Sequence, residues 1–248
     1  MKIDKFIKKK DGMYNVELED GSKLLIHEDL ILKYDLLLKR ELDDKDYKLI
    51  SDENMSYSAY NKAIKYIGIR MRSIFELRSY LKKYVDDENI INQVVDKLLS
   101  QGYLNDEMFA RSYVNDRIAL STDGPYKIHN SLKEQRISEK DIEDALAVFT
   151  EDIQIEKIKK YIEKSIKSNT NKGYMLLKQK ILANLINMGY NKHTVLDELS
   201  NYNPDDEDIY KKEYEKIYNK LSKKYSGYEL DQRIKQKLYQ KGFYWGSY

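Results

Sequence analysis

Leu81-Lys-Lys-Tyr-Val85, Leu132-Lys-Glu-Gln-Arg-Ile137, Leu185-Ile-Asn-Met-Gly-Tyr190 and Leu238-Tyr-Gln-Lys-Gly-Phe243 are four versions of one phrase. Their leucines stand 51, 53 and 53 residues apart, and the first version is one residue shorter. Each phrase closes a stretch whose apolar residues fall at steps of three and four, the period of a helix face. A unit repeated at a fixed period specifies stacked modules, each burying its apolar face against a neighbour. The expected fold is mainly α, with tandem three-helix repeats in an elongated curved array and a small N-terminal β-sheet extension. Such an array offers long surfaces rather than deep pockets. The functional question becomes which extended partner it meets.

In the first unit, a short helix at Tyr57–Ile67 precedes a stripe of Ile74, Leu77, Leu81 and Val85 on a helix over about Ser73–Tyr84. A third helix follows Asp86-Asp87, carries Ile90/Ile91, Val94/Val95 and Leu98/Leu99, and stops at Gly102. The second unit opens with Asn105-Asp106 as caps, restarts at Gly124-Pro125, and begins its last helix at Ser138-x-x-Asp141, which resembles a capping box. The third places Ile158 and Ile162 on one helix, a loop at Ser168–Gly173, then Leu177, Ile181 and Leu185 on the next. In the fourth, Asn203-Pro204 reads as an N-cap with proline at the first helical position. This unit is expected to be truncated, with Phe243, Tyr244 and Trp245 folding back onto it.

The N-terminal stretches Lys2–Lys9, Met13–Glu19 and Lys23–His27 read as strands, joined at Lys10-Asp11-Gly12 and at the hairpin dipeptide Asp20-Gly21. Glu28–Asp35 and Asp43–Ile50 read as short helical connectors. The expected organisation is residues 1–55 as the extension, then repeats at 56–104, 105–149, 150–202 and 203–248.

With 248 residues, 35% charged and only 2 Pro and 10 Gly, the chain permits long helices and several small cores in a row. A mean hydropathy of −0.75 suits an array better than one globule. The absence of Cys removes disulfides, thiolate metal sites and a cysteine nucleophile. No apolar run approaches the ~20 residues a membrane helix needs. The start Met1-Lys-Ile-Asp4 lacks a signal-peptide core, so a cytoplasmic monomer with no membrane partner is expected.

His27, His129 and His193 are the only histidines, and no two stand at i, i+4. Neither a Walker loop nor GxGxxG is present, so the sequence points to no catalytic residue, no metal ligand and no cofactor. Acidic pairs such as Asp86/Asp87 and Asp205/Asp206 sit where helix capping explains them.

Charge is distributed unevenly although the net is only +2. Ser56–Val85 carries seven Lys/Arg against Glu76 alone, and Lys211–Lys241 carries ten against four acids. Glu139–Glu156 carries seven acids against one lysine. Basic clusters of this kind suit a polyanion or a patchily charged protein. Solvated Lys/Glu-rich helix faces give the same pattern. Arg70-Met-Arg72-Ser73 stands out, at the joint of two helices, with Arg78, Lys82 and Lys83 following. An arginine fork donates in pairs to phosphate or carboxylate, and a helix N-terminus beside it favours an anion. The alternative is that Arg70 and Arg72 pair with acids of a neighbouring unit, such as Asp106 or Asp116.

Two longer phrases are Tyr66-Ile-Gly-Ile-Arg70-Met-Arg72-Ser73-x-x-Glu76-Leu77-Arg78-x-x-Leu81 and Gly102-Tyr103-Leu104-Asn105-Asp106-x-x-Phe109-Ala110-x-x-Tyr113-Val114-x-x-Arg117. Both resemble the RecX family. Gly124-x-x-x-Ile128-x-x-x-Leu132 extends the second, and Tyr14-Asn15-Val16-x-Leu18 resembles the β extension of longer members. The resemblance implies a non-catalytic regulator of homologous recombination, DNA repair and the SOS response. As its family relatives do, it would lie in the groove of the RecA–single-stranded DNA filament and suppress filament extension, ATP hydrolysis and strand exchange. Contact with single-stranded DNA would be weak or RecA-dependent. The residues expected to make contacts are Arg70, Arg72, Arg78, Lys82 and Arg117, extended by Lys62 and Lys65. Gly102, Phe109 and Tyr113 are assigned to architecture. Two rival readings are a helical protein binding nucleic acid without RecA and a repeat scaffold for a different protein.

Overall fold

Asp20-Gly21 turns the chain between two strands, with Gly21 at a φ of 83°. Around this turn a three-stranded antiparallel sheet forms from β1 (Ile3–Lys8), β2 (Met13–Leu18) and β3 (Lys23–His27), in the order β1-β2-β3. Alternation along β2 and β3 sends Val16, Leu18 and Ile26 inward. A sheet this small needs a second layer. It is supplied by α1 (Glu28–Lys33) and α2 (Leu36–Lys39), whose Leu30, Ile31 and Leu36 join that core with Leu42 and Ile50. The computed structural model describes residues 1–10 and 12–243. It divides into two compact units, Met1–Phe109 with Gln135–Ile137, and Ala110–Glu134 with Ser138 onward.

Within the first unit, α3 (Asp44–Ile67) is the spine. Its Ile50 and Tyr57 pack on the sheet layer, while Ala59 and Ala63 pack on α4 (Ile74–Leu81) and α5 (Glu88–Ser100). The connector expected at Asp43–Ile50 and the helix expected at Tyr57–Ile67 are thus one helix of 24 residues. Asp43 caps it at the Asp46 amide, and no Gly or Pro interrupts it before Gly68. Leu77, Leu81, Val85, Ile91, Val94, Val95 and Leu98 fill the bundle beneath. Gly102, at φ 75°, ends α5 in a Schellman turn in which the Tyr103 amide donates to Leu98 O at 2.9 Å.

The other helices are α6 (Asp106–Leu120), α7 (Pro125–Glu134), α8 (Glu139–Leu146), α9 (Glu151–Lys167), α10 (Tyr174–Asn187), α11 (Lys192–Ser200), α12 (Glu207–Leu221) and α13 (Gly227–Gln240). They bury their apolar stripes, among them Val114, Ile128, Leu132, Ile142, Ile158, Ile162, Leu185 and Leu238. Ser138 caps α8 at the Asp141 amide, and Asn191 caps α11 at the His193 amide. Pro204 does not open α12, which starts at Glu207. Asp206, beside it, gives its carboxylate to another helix, accepting the Tyr174 amide of α10 at 2.6 Å. Asp106 does the same for α4, accepting the Ile74 amide at 2.9 Å. In both cases an acid at the start of one module caps the middle helix of the module before it. Phe243 folds back and is buried against Tyr210, whereas Tyr244 and Trp245 lie outside the described residues. Among the described residues, no helix is long and apolar enough to cross a membrane.

The repeated leucine phrase has a structural counterpart. Four residues after Leu132, Leu185 and Leu238 stand Arg136, Gly189 and Gly242, all at positive φ (60°, 91° and 88°). The residue before each meets the start of the preceding middle helix. Ser73 Oγ donates to Gln135 Oε1 at 3.1 Å, the Gly124 amide to Met188 O at 2.6 Å, and the Gly173 amide to Lys241 O at 2.8 Å. At the later two junctions the backbones touch. A Cβ on Gly124 would meet Gly189 C at 2.6 Å, and one on Gly173 would run into Gly242.

Gly173→Ala should therefore cost about 1–3 kcal/mol by overpacking, and Leu132→Ala about 2–5 kcal/mol through the cavity it leaves. Urea unfolding of each variant measures both. Wild-type midpoints would mean that the junction and the stripe do not hold the fold.

Candidate partner-binding surface

Gly68 ends α3, and the chain crosses to α4 through Ile69-Arg70-Met71-Arg72. Ser73 then caps α4 in a capping box. Its hydroxyl accepts the Glu76 amide at 3.0 Å, and Glu76 Oε2 accepts the Ser73 amide at 3.3 Å. The Glu76 carboxylate also takes both arginines. Arg70 reaches it with both ends of its fork at 2.6 and 3.2 Å, and Arg72 at 3.7 Å. Thus the acid paired with Arg70 and Arg72 is the capping glutamate of the helix they lead into, not Asp106 or Asp116 of the next unit. The helix end is also filled, since Glu76 and Asp106 already serve as its anions.

The two arginines differ in exposure. The Arg72 side chain is 12% exposed, against 51% for Arg70. Arg72 lies over the Tyr66 ring at 4.0 Å, and Tyr66 stacks on Tyr80 with centroids 4.0 Å apart. Tyr80 meets Tyr84 edge-on, and Lys62 lies 4.5 Å from the Tyr84 ring. A hydrogen bond with Tyr84, then burial, holds the Tyr80 phenol above its ordinary range. Arg72 and Lys62 are therefore the ends of a cation–tyrosine ladder that fixes α4 to α3. Arg72 positions the crossing rather than projecting from it.

Arg70 is free to meet a partner on one side. It is flanked by Ile69, 77% exposed, and Met71, 45% exposed. Arg and Met with a bare aliphatic neighbour are the composition of a protein-interface centre. Arg78 donates to Asn92 Oδ1 at 2.6 Å and Lys82 meets Glu88 at 2.5 Å, so both brace α4 against α5. Lys83 is exposed with no acidic partner among the described residues. Lys65 is exposed on α3. Arg117, on α6 in the other compact unit, lies over Tyr113 and 3.5 Å from Asp123. Phe109 and Gly102 are architectural, the first buried and the second a turn.

The residues that sequence reasoning missed are Ile69, Met71 and the tyrosine ladder. Tyr80 and Tyr84, four apart across the end of α4 and the turn that follows, carried a readable signal. Ile69 and Met71 sit in a loop, where no periodicity separates exposed from buried. Chemically the surface offers a guanidinium and apolar side chains, a set suited to holding a partner. Among the described residues no group of His, Asp and Glu gathers in a metal-holding arrangement.

Comparison with known proteins places these features in a family. A family profile described as "RecX, first three-helix domain" matches residues 59–98, and "RecX, second three-helix domain" matches residues 105–146. The chain is 32% identical over 246 residues to the regulatory protein RecX of Halalkalibacterium halodurans, covering 95% of this chain and 92% of that one. It is 32% identical to the regulatory protein RecX of Streptococcus pneumoniae strain Hungary19A-6, covering 98% and 95%. A solved structure of a regulatory protein RecX superposes with a TM-score of 0.65 at 28% identity, covering 79% of this chain and 98% of that one. RecX from Lactobacillus salivarius does so with a TM-score of 0.55 at 27% identity, covering 60% and 99%.

Arg72→Ala should lower stability by about 1–2 kcal/mol through loss of the ladder, and Arg70→Ala by less than about 1 kcal/mol because its ion pair is exposed. Urea melts compare them. Equal shifts would contradict the division into a positioning and a presenting arginine.

Proposed function

The chain belongs to the RecX family, and on that premise we propose that it is a non-catalytic regulator of homologous recombination that acts on the RecA–single-stranded DNA filament. It binds the filament and lowers ATP hydrolysis, filament extension and strand exchange. The observation that carries this reading is similarity to regulatory RecX proteins along nearly the whole chain, at 32% identity over 95% of it. The repeats support it physically. Modules joined at recurring junctions present several separate surfaces, and contacts made together bind a polymer more tightly than any one alone. The Ile69–Arg70–Met71 crossing is the protein-facing contact of the first repeat, and Lys83 and Lys65 add salt-sensitive attraction. Arg117 makes a further contact from the second repeat. Arg78, Lys82, Arg72 and Lys62 serve mainly by holding α3, α4 and α5 in place. The protein acts as a cytoplasmic monomer, and its contact with DNA is secondary to that with RecA.

The test is titration of the protein into RecA on single-stranded DNA, with ATP turnover and filament length followed together. The wild type should lower both. Arg70→Ala should raise the concentration for half-inhibition about tenfold or more, the loss of about 1.4 kcal/mol of binding, with helicity unchanged and stability lowered by less than about 1 kcal/mol. Inhibition equal to wild type would remove Arg70 from the contact, and no effect of the wild type on either readout would end the proposal.

A further inference from the structure

Two lysines of the third repeat face each other without an acid between them. Lys172 ends the loop before α10, and Lys180 lies in the second turn of that helix. Both line a mostly polar recess of about 270 Å³, shared with Ser165, Asn169, Thr170 and Asn184. A recess of this size takes a small group and is far too little for a folded partner. The loop is built rather than loose. Asn169 Nδ2 donates to Lys172 O at 2.7 Å, its Oδ1 accepts the Lys172 amide at 3.2 Å, and the next amide, Gly173, is tied to Lys241 O at 2.8 Å.

Several other lysines of this compact unit have a carboxylate, although not all do. Lys241 meets the buried Glu213 at 2.9 Å, Lys160 meets Glu156 at 2.6 Å, and Lys211 meets Glu207 at 2.7 Å. Among the described residues, no carboxylate pairs with Lys172 or Lys180. Contact with Lys180, then burial, then the charges of Lys180 and Lys241 hold the Lys172 ammonium below its ordinary range. Two like charges held together in this way are costly until an anion binds beside them and offsets the repulsion. A carboxylate presents both oxygens to one side and suits the planar fork of arginine. Two ammonium groups side by side at the wall of a recess suit the diverging oxygens of a tetrahedral phosphate.

We propose that this recess between α9 and α10 is a phosphate-binding site, with Lys172 and Lys180 as its two cationic arms and Thr170 as a neutral donor. The site is separate from the Arg70 crossing and does not depend on the RecA reading. Its phosphate comes from the backbone of a single strand or from free phosphate.

The test uses the full chain without RecA, so failure of the regulatory proposal leaves it untouched. Binding of a labelled oligo-dT strand is measured across a salt series, for wild type and for Lys172→Gln/Lys180→Gln. Loss of two phosphate contacts on a single strand should flatten the plot of log K against log salt by about 1.4. Lys160→Gln/Lys211→Gln, which removes two lysines already paired to acids, should leave the slope unchanged. In parallel, inorganic phosphate is added at constant ionic strength while the amide resonances of Thr170 and Lys172 are followed. A changed slope assigns the site to strand phosphate. Movement of those resonances with an unchanged slope assigns it to free phosphate. An unchanged slope together with unmoved resonances overturns the proposal, as would equal flattening in the control variant.

Discussion

A backbone amide at the start of each later middle helix donates to a carbonyl at the end of the next middle helix. Gly124 does so to Met188 and Gly173 to Lys241, and in the first repeat the Ser73 hydroxyl does the same work with Gln135. Glycines let the backbones approach where any Cβ would collide. The end of the next middle helix must also turn left-handed to present its carbonyl, which Arg136, Gly189 and Gly242 do. The spacing of the leucine phrase follows from this geometry, because the leucine buried one turn earlier fixes where each helix can stop.

The functional surface inherits its shape from the same contact. Ser73 is at once the cap of α4, the partner of Gln135 and the residue after Arg72. Holding Ser73 holds the crossing that displays Ile69, Arg70 and Met71. Glu76 completes the arrangement by serving the cap and both arginines with one carboxylate. The loop is therefore set by a helix cap, a junction and an aromatic ladder, so Arg70 meets a partner with little conformational entropy left to lose. In the third repeat the equivalent junction fixes Gly173 and, with it, the backbone beside Lys172.

Much of this was legible in the sequence, for physical reasons that also mark where legibility stopped. Leu132, Leu185 and Leu238 declared the repeat because burial enforces a helical period, and Asp20-Gly21 declared the hairpin. The continuity of α3 was hidden because residues 51–56, polar but for Met55, carry no apolar stripe to join Asp43–Ile50 to Tyr57–Ile67, although the helix that Asp43 caps has nothing there to stop it. Pro204 and Asp206 suggested a local cap, but the Asp206 carboxylate is used across 32 residues by Tyr174. No local rule reports such a partner. Arg70 and Arg72 look equivalent in sequence. Only the placement of Tyr66 beneath one of them separates the arginine that holds the crossing from the one it presents. Lys172 and Lys180 gave no signal, since one belonged to a loop and the other to an ordinary helix face.

Native-state hydrogen exchange at the Gly124 and Gly173 amides tests the junctions most directly. Each amide donates across a junction between modules, so it should exchange only with cooperative unfolding of the helices it joins, as slowly as the buried turns around Leu132 and Ile181. Exchange as fast as that of the neighbouring Ser168–Asn171 loop would mean that the modules are not coupled there, and the explanation of the repeat would fail.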